Sequence, residues 1–439
     1  MARLEVRYET GERSLVVGHL LSAERSIFFQ YDDAFRGYGL ELSPFKLPTS
    51  IVGPIEERER TYHGLHGLFN DSLPDGWGMI VMERTLRARG IEPASITPLD
   101  RLAFLGSRTM GALTYHPSSA DDDAENMELH LSAVAEQSGR IMEGSTEEIL
   151  PEIVKAGSSP MGARPKIVAG VRNDFSHLVT GTSSLPEGYS HWLIKFTAKE
   201  DPSDMGAIEM AYAEMARAAG LAIPRTHLFI TRDGKRYFGV KRFDRDPALP
   251  ARRIHTHTFA GLLHYDHRIP GQDYHDLLKV TRVLTRKHGD VLEAFRRMLF
   301  NILAYNRDDH TKNFAFQMTP DAEWRLAPAY DITYSDGPGG EHTLLIAGEG
   351  RSPNRSHIDE IAVAASLESR EVRHAIESVQ QAVSTWYEIA RRYDVSESSI
   401  RSIQDRLNTV HNATHLETGV SSSSSAGPSR ARARRRKRE

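Results

Sequence analysis

The sequence predicts an α+β protein in two lobes, with an N-terminal α/β subdomain, a strand-rich middle and a mainly helical C-terminal lobe. Three observations carry this. Short strand-like runs alternate with a helical run over residues 1–115. Between 189 and 243 come an apolar strand ending in Lys195, a helix carrying Glu209 and Glu214, and a hairpin turning at Asp233-Gly234. From about 250 to 415 the apolar residues recur mainly at helical spacing. A chain of 439 residues with 39% hydrophobic and 26% charged residues is long enough for two or three domains and can bury a large core.

The elements follow in order. RSIFFQYDD has strand character. DGWGMIVMERTLRARG has helical periodicity through Trp77, Ile80, Val81 and Leu86, and stops at Gly90. Residues 117–127 are acidic and polar and read as a linker. A helix is predicted over 145–156, with Ser145 as N-cap and Glu148 completing a capping box. A glycine-rich turn follows, Gly157 to Lys166, and then the breaker-free strand SHWLIKF. Ile208, Tyr212, Met215 and Ala219 share one face of a helix over 205–219, which Gly220 and Pro224 end. THLFITRDGKRYFGVKRF alternates as a hairpin should. A helix over 290–305 is predicted with Asp290 as N-cap and Glu293 closing its box. The expected units are 1–118, 119–150 (linker and lead-in helix), 151–243, 244–415 and a tail, 416–439.

Composition excludes several classes of function. There are no cysteines, hence no disulfide, thiolate metal site or cysteine nucleophile. The first residues carry scattered charges and no apolar h-region, and no run reaches 18 apolar residues, so a cytoplasmic protein without a membrane span is expected. Residues 430–439 hold seven Arg or Lys against one Glu, a net of +6. The formal −4 of the whole chain therefore leaves −10 on residues 1–429. The tail follows a serine run, Ser421–Ser425, and its composition cannot support a packed core. It is expected to be a solvated appendage with weak, nonspecific affinity for nucleic acid or acidic surfaces, while the acidic body argues against a dedicated nucleic-acid-binding domain. His255, His257, His264 and His267 offer no H-E-x-x-H motif. G-x-S-x-G, Walker A and G-x-G-x-x-G patterns are absent as well.

The chemistry concentrates in NILAYNRDDHTKNFAF, residues 301–316. Asp308 and Asn313 are five apart, the separation of the proton-accepting Asp and the Mg²⁺-binding Asn in a protein-kinase catalytic loop. Asp331, in AYDI, adds a second oxygen ligand eighteen residues on. Acidic clusters are commonly solvated loops, but apolar segments flank this one on both sides. Lys195 reads either as a snorkelling edge lysine or as the cation for the α/β-phosphates, with Glu209 preferred over Glu214 as its partner. The glycine-rich turn suits phosphate through its backbone N–H groups. Val240–Phe243 end the hairpin strand as a connector that in a kinase offers backbone groups to adenine, and Lys241 and Arg242 read equally as surface charges. The order of loop, lysine strand, glutamate helix, hairpin, helical lobe and acidic loop is that of a bilobal protein-kinase-like fold.

Taken with LSPFKLP, GLFNDSLPDGWG and RLAFLGSRTMGAL near the N-terminus, and GARPK, HWLIKF, VKRFDR, NRDDHTKN and AYDIT in order behind them, the chain resembles HipA-type serine/threonine kinases over residues 3–395. These are the toxin halves of bacterial toxin–antitoxin pairs. The resemblance implies Asp308 as catalytic base or hydroxyl-orienting residue, and Asn313 and Asp331 as Mg²⁺ ligands. Lys195 would hold ATP phosphates, with Glu209 as its partner. Met161, Gly162, Ala163, Arg164, Pro165 and Lys166 would form the phosphate loop, and Lys241–Phe243 the adenine site. His310 and Lys312 would sit near the γ-phosphate. It further implies autophosphorylation at Ser159, with Ser158 close by, which would silence the kinase. The implied substrate is a cytosolic protein, in known cases an aminoacyl-tRNA synthetase. The implied partner is a helix-turn-helix antitoxin, through which DNA is reached indirectly. A nucleotide-binding pseudokinase acting as corepressor and a small-molecule kinase are the alternatives.

Overall fold

The computed structural model describes residues 3–414 except 12, 24–25, 120–125, 147, 158–161, 182–183, 247 and 250–251. Ser158, Ser159, Met161, most of the acidic linker and the basic tail therefore lie outside the described residues. Five strands, β1 (Arg3–Glu9), β2 (Ser14–Ala23), β3 (Ser26–Tyr31), β4 (Ile55–Glu56) and β5 (Leu113–His116), make an antiparallel sheet of order β4-β3-β2-β1-β5. Leu4, Val6 and Tyr8 alternate inward along β1, the period-two pattern of a sheet with one buried face. A second antiparallel sheet holds β6 (Lys166–Arg172), β7 (Leu178–Thr180), β8 (Tyr189–Lys195), β9 (Thr226–Ile230) and β10 (Arg236–Lys241) in the order β7-β6-β8-β10-β9. The hairpin turns at Asp233-Gly234 as its sequence requires, with Gly234 at φ +79.

The helical lobe is built on Tyr274–Thr285, His288–Leu303, Ser369–Ser384 and Glu397–Thr414. A small sheet of His255–Thr258, Ala315–Met318 and Trp324–Leu326 carries the acidic loop. One continuous core joins the first sheet (Val6, Leu20, Phe29) to the helical lobe (Phe295, Met298, Leu303). A second core, under β6 and β8, takes in Trp77 and Val81 from the Gly76–Ala88 helix. The N-terminal subdomain is thus packed into both halves of the molecule.

Two helix starts differ from expectation. The helix predicted over 145–156 begins at Pro151 and ends at Gly157. Proline suits a first helical turn because it has no N–H to leave unpaired. Ser145 instead donates to Arg140 O and closes a helix that periodicity did not reveal, Leu131–Met142. The predicted helix at 290–305 is His288–Leu303, with Lys287 at the cap position. Asp290 lies inside the first turn and accepts the Leu326 N–H at 3.0 Å, while Glu293 pairs with Arg297 and accepts the Ala222 N–H. Both carboxylates are taken by tertiary partners, so the local box does not form.

Buried neutral histidines make a pH test of the fold. Burial pulls His66 down to about 4, and His191 and His255 to about 3. The unfolded chain, titrating near 6.5, then binds more protons than the folded chain between about pH 4 and 6.5, so stability must fall as pH falls through that window. We expect a melting temperature distinctly lower at pH 5 than at pH 7.5. The loss should be on the order of 1–2 kcal/mol per histidine, and shrink when His255 is replaced by Gln.

Candidate active site

The second sheet assembles the cationic side of the site. Lys166 and Lys195 are register partners at the ends of β6 and β8, so two ammonium groups arrive side by side. Both lysines are buried. Such a pair is stable only with anions close by. Glu209 lies in the buried second turn of the Met205–Ala218 helix, and its Oε2 is 3.0 Å from Lys195 Nζ. Asp331 Oδ1 accepts from the same ammonium at 2.5 Å. Burial opposes the charge on Lys195, but Asp331 and Glu209 outweigh it and raise its pKa. Lys195 in turn is the main reason that the Asp331 carboxyl is held low. Burial lowers the pKa of Lys166, with Asp331 the largest opposing influence. Arg164 reaches Asp201 at 2.9 Å and Glu209 at 3.8 Å.

Glu214, the alternative partner for Lys195, faces elsewhere. It ion-pairs with Arg392 and accepts from the Tyr393 hydroxyl at 2.5 Å. The two glutamates are five residues apart along the helix, which at 3.6 residues per turn places the second about 140° around from the first. Glu214→Gln should change stability by under about 1 kcal/mol, as expected of a half-exposed ion pair, and leave nucleotide affinity unchanged. Glu209→Gln should weaken that affinity at least about tenfold through the displaced lysine. Titration calorimetry with Mg-ATP separates the two.

The helical lobe supplies the anionic side. Asp308 is exposed, and its carboxylate has no hydrogen bond or ion pair among the described residues. The walls of the cleft remove enough solvent to raise its pKa, with His310 opposing and Asp331 and Asp309 adding to the rise. Its backbone oxygen accepts from Asn313 Nδ2 at 2.7 Å, which fixes the amide and turns Asn313 Oδ1 the other way. Asp331 sits at φ 54, in the left-handed region that a non-glycine residue adopts only when its surroundings impose it. Asp309 is wholly different from its neighbour. It is buried and accepts from the Tyr274 hydroxyl (2.7 Å), His342 Nδ1 (2.9 Å) and the Thr343 N–H (2.8 Å).

The oxygen set of Asn313 and Asp331 suits a hard divalent cation, and the paired Lys166 and Lys195 suit phosphate oxygens. At Gly162, φ is +101, a backbone conformation that favours glycine, and the Lys166 ammonium lies against its open face. These residues fit Mg-ATP.

Other expected residues are placed differently. The Arg242 guanidinium is bound by Asp244 (2.8 and 2.6 Å) and is turned into the contact with Thr109 of the first subdomain. Any adenine contact from this residue would be made by backbone. Lys241 bonds through its N–H to Arg225 O, and the Phe243 ring packs on Tyr330 with centroids 5.3 Å apart. Lys312 donates to Asp75 Oδ2 at 2.8 Å. The His310 ring lies 5.4 Å from that of His267. Sequence reasoning did not single out Asp75, Asp309, Asp201 or Tyr330, whose hydroxyl donates to Lys312 O. Their partners lie up to 237 residues away, and no local pattern announces them.

A lysine held by a helix glutamate in one lobe, facing an Asp–Asn loop and a second aspartate in the other, defines a protein of the kinase-like fold class. Residues 11–116 match the family model for the HipA N-terminal domain, and residues 158–386 that for the HipA-like C-terminal domain. The chain belongs to the HipA family. It is 26% identical over 290 residues to Y4dM of Sinorhizobium fredii, a kinase by designation only. The match spans 60% of this chain and 63% of the length of that relative. Among solved structures it is similar to Shewanella oneidensis MR-1 HipA, seen in a complex with HipB and operator DNA. There the TM-score is 0.67 at 17% identity, covering 93% of this chain and 95% of the other. This likeness supports an α+β, kinase-like fold.

Proposed function

We propose that this protein is an ATP-dependent serine/threonine protein kinase that inhibits growth by phosphorylating a cytosolic protein, an aminoacyl-tRNA synthetase being the first candidate. The observation that carries the reading is the Lys195–Glu209–Asp331 cluster facing Asp308 and Asn313. When bound, Mg-ATP supplies the transferable γ-phosphoryl group and the charge that draws these side chains together. Asn313 Oδ1 and Asp331 would hold Mg²⁺. Lys195, Lys166 and the backbone of 162–166 would hold phosphates, and Lys195 must then exchange Asp331 for phosphate oxygen. Asp308 orients the substrate hydroxyl and takes its proton. A carboxylate whose proton affinity is raised by partial desolvation is better suited to this than one in open water.

Autophosphorylation at Ser159 or Ser158 is part of the proposal. A phosphate there would add about −1.5 to −2 charge beside the loop that is to cradle ATP. A helix-turn-helix antitoxin is the proposed partner, in keeping with the HipB seen with the Shewanella protein. The fold has no helix among the described residues long and apolar enough to cross a membrane. The test is to incubate the purified protein with Mg-ATP, alone and with a cell extract, and read its intact mass and phosphopeptides. Phosphate incorporated by wild type and not by Asp308→Asn supports a kinase. Nucleotide binding with no transfer to any protein supports the pseudokinase alternative, and transfer confined to small molecules the other.

A further inference from the structure

Asp75 stands at the N-cap position of the Gly76–Ala88 helix, yet its side chain makes no cap hydrogen bond. An N-cap aspartate normally accepts a backbone N–H of its own helix. Here the carboxylate is spent across the subdomain boundary. One oxygen accepts the Gly162 N–H, and the other accepts Lys312 Nζ at 2.8 Å, with His267 Nε2 3.6 Å away. The lysine is one cause of the low pKa of the Asp75 carboxyl, so both contacts are made by a carboxylate. The neighbouring residues tighten the same grip. Trp77 N–H donates to Gly162 O at 3.1 Å, and its indole N–H donates to Lys166 O at 2.8 Å. Gly76, at φ +45, lies so close to Ala163 that a Cβ would strike its backbone. Three consecutive residues of the first subdomain therefore hold the described part of the glycine-rich loop at both ends, and one of them also holds a cation from the acidic loop of the other lobe.

We infer that Asp75 is a positioning residue of the nucleotide site, which fixes Gly162 of the phosphate loop and Lys312 of the acidic loop in one register. This rests on the kinase reading for its consequence, and on the hydrogen bonds alone for the clamp. The N-terminal subdomain then does more than cover the helical lobe. It templates the loop on which phosphates would be received, and it sets where the Lys312 ammonium waits. A neutral amide at position 75 still accepts from Gly162 N–H but loses the charge that holds Lys312, and alanine loses both.

Amide hydrogen exchange of the intact protein without nucleotide tests the clamp. Steady-state transfer with varied Mg-ATP tests its consequence. In Asp75→Ala the Gly162 amide should exchange about tenfold or more faster than in wild type, since a charge-assisted hydrogen bond is lost, while the β8 amides keep their protection. Asp75→Asn should show a smaller rise, of about threefold. The KM for ATP should rise about tenfold in Asp75→Ala with a smaller change in kcat, a split that a loss of stability alone does not produce. Adding Asp75→Asn to Lys312→Met should cost nothing further in KM if the aspartate acts through that lysine. Unchanged exchange at Gly162 in Asp75→Ala overturns the inference, as does a kcat loss with unaltered KM. If Asp75→Ala does not fold, Asp75→Asn decides alone, and wild-type exchange at Gly162 overturns the clamp. A wild-type protein that binds no Mg-ATP would remove the kinase reading, and the exchange arm would still decide whether Asp75 holds the loop.

Discussion

Asp308→Asn is expected to lower phosphoryl transfer by about a thousandfold, the scale of removing a general base, while the melting temperature holds or rises slightly. The carboxylate makes no hydrogen bond or ion pair among the described residues, so the fold does not depend on it. The Asn313 amide rests on the backbone oxygen of Asp308, which the substitution leaves in place. The sign of the stability change follows from the raised pKa. A carboxyl whose folded pKa lies above its unfolded value is disfavoured as an anion in the folded state, and above that pKa it costs stability. The isosteric amide removes the charge and that cost. Nucleotide affinity should be within about threefold of wild type, because the residues proposed to hold phosphate and metal are others. Calorimetric titration with Mg-ATP, differential scanning and radiolabel transfer on the same preparations check all three. Transfer at the wild-type rate by a folded Asp308→Asn would end the assignment of Asp308 as the base.

One residue along, the outcome inverts. Asp309→Ala should destabilise the protein by about 3–5 kcal/mol, the scale of breaking a buried hydrogen-bonded charge, and lower the melting temperature by roughly 3–6 °C. Its carboxylate accepts from the Tyr274 hydroxyl, His342 Nδ1 and the Thr343 N–H, and more weakly from the Leu344 N–H at 3.4 Å. Tyr274 is in turn bonded by Asn301, and Asn301 by Asn306, so a chain of buried polar groups runs beneath the acidic loop. Removing the central acceptor strands buried donors. Activity should fall too, through a displaced loop, but less steeply than in Asp308→Asn when measured well below the melting point. Equal melting temperatures for Asp309→Ala and wild type would show that the network is not what holds the loop.

The comparison of adjacent aspartates also marks how far the sequence can be read. Asp308 and Asn313 were legible as candidates because a short spacing between chemically suited residues follows an apolar helix, and Asp331 because a lone carboxylate follows a short apolar stretch. Lys195 and a glutamate partner on the next helix, with Glu209 preferred to Glu214, were legible because a buried strand and an amphipathic helix come in the right order. The helix over 205–219, the hairpin at Asp233-Gly234 and the two-lobed α+β architecture were legible for the same reason. Each is specified by periodicity, a turn residue or a cap within a few positions of itself. The predicted cap at Asp290 failed where a tertiary donor, the Leu326 N–H, took its carboxylate, and the one at Ser145 where the end of the preceding helix took its hydroxyl through Arg140 O.

By itself, then, the sequence determined the order of elements and the residue types that face one another across the cleft. Tertiary structure alone decided which of two glutamates meets Lys195, that Arg242 is spent on Asp244, that Asp309 is a buried anchor beside an open Asp308, and that Asp75 reaches Gly162 and Lys312. The physical reason is range. Helix, strand and turn preferences act over a few residues along the chain, whereas a buried charge is settled by whichever counter-charge and donors the completed packing brings within about 3 Å.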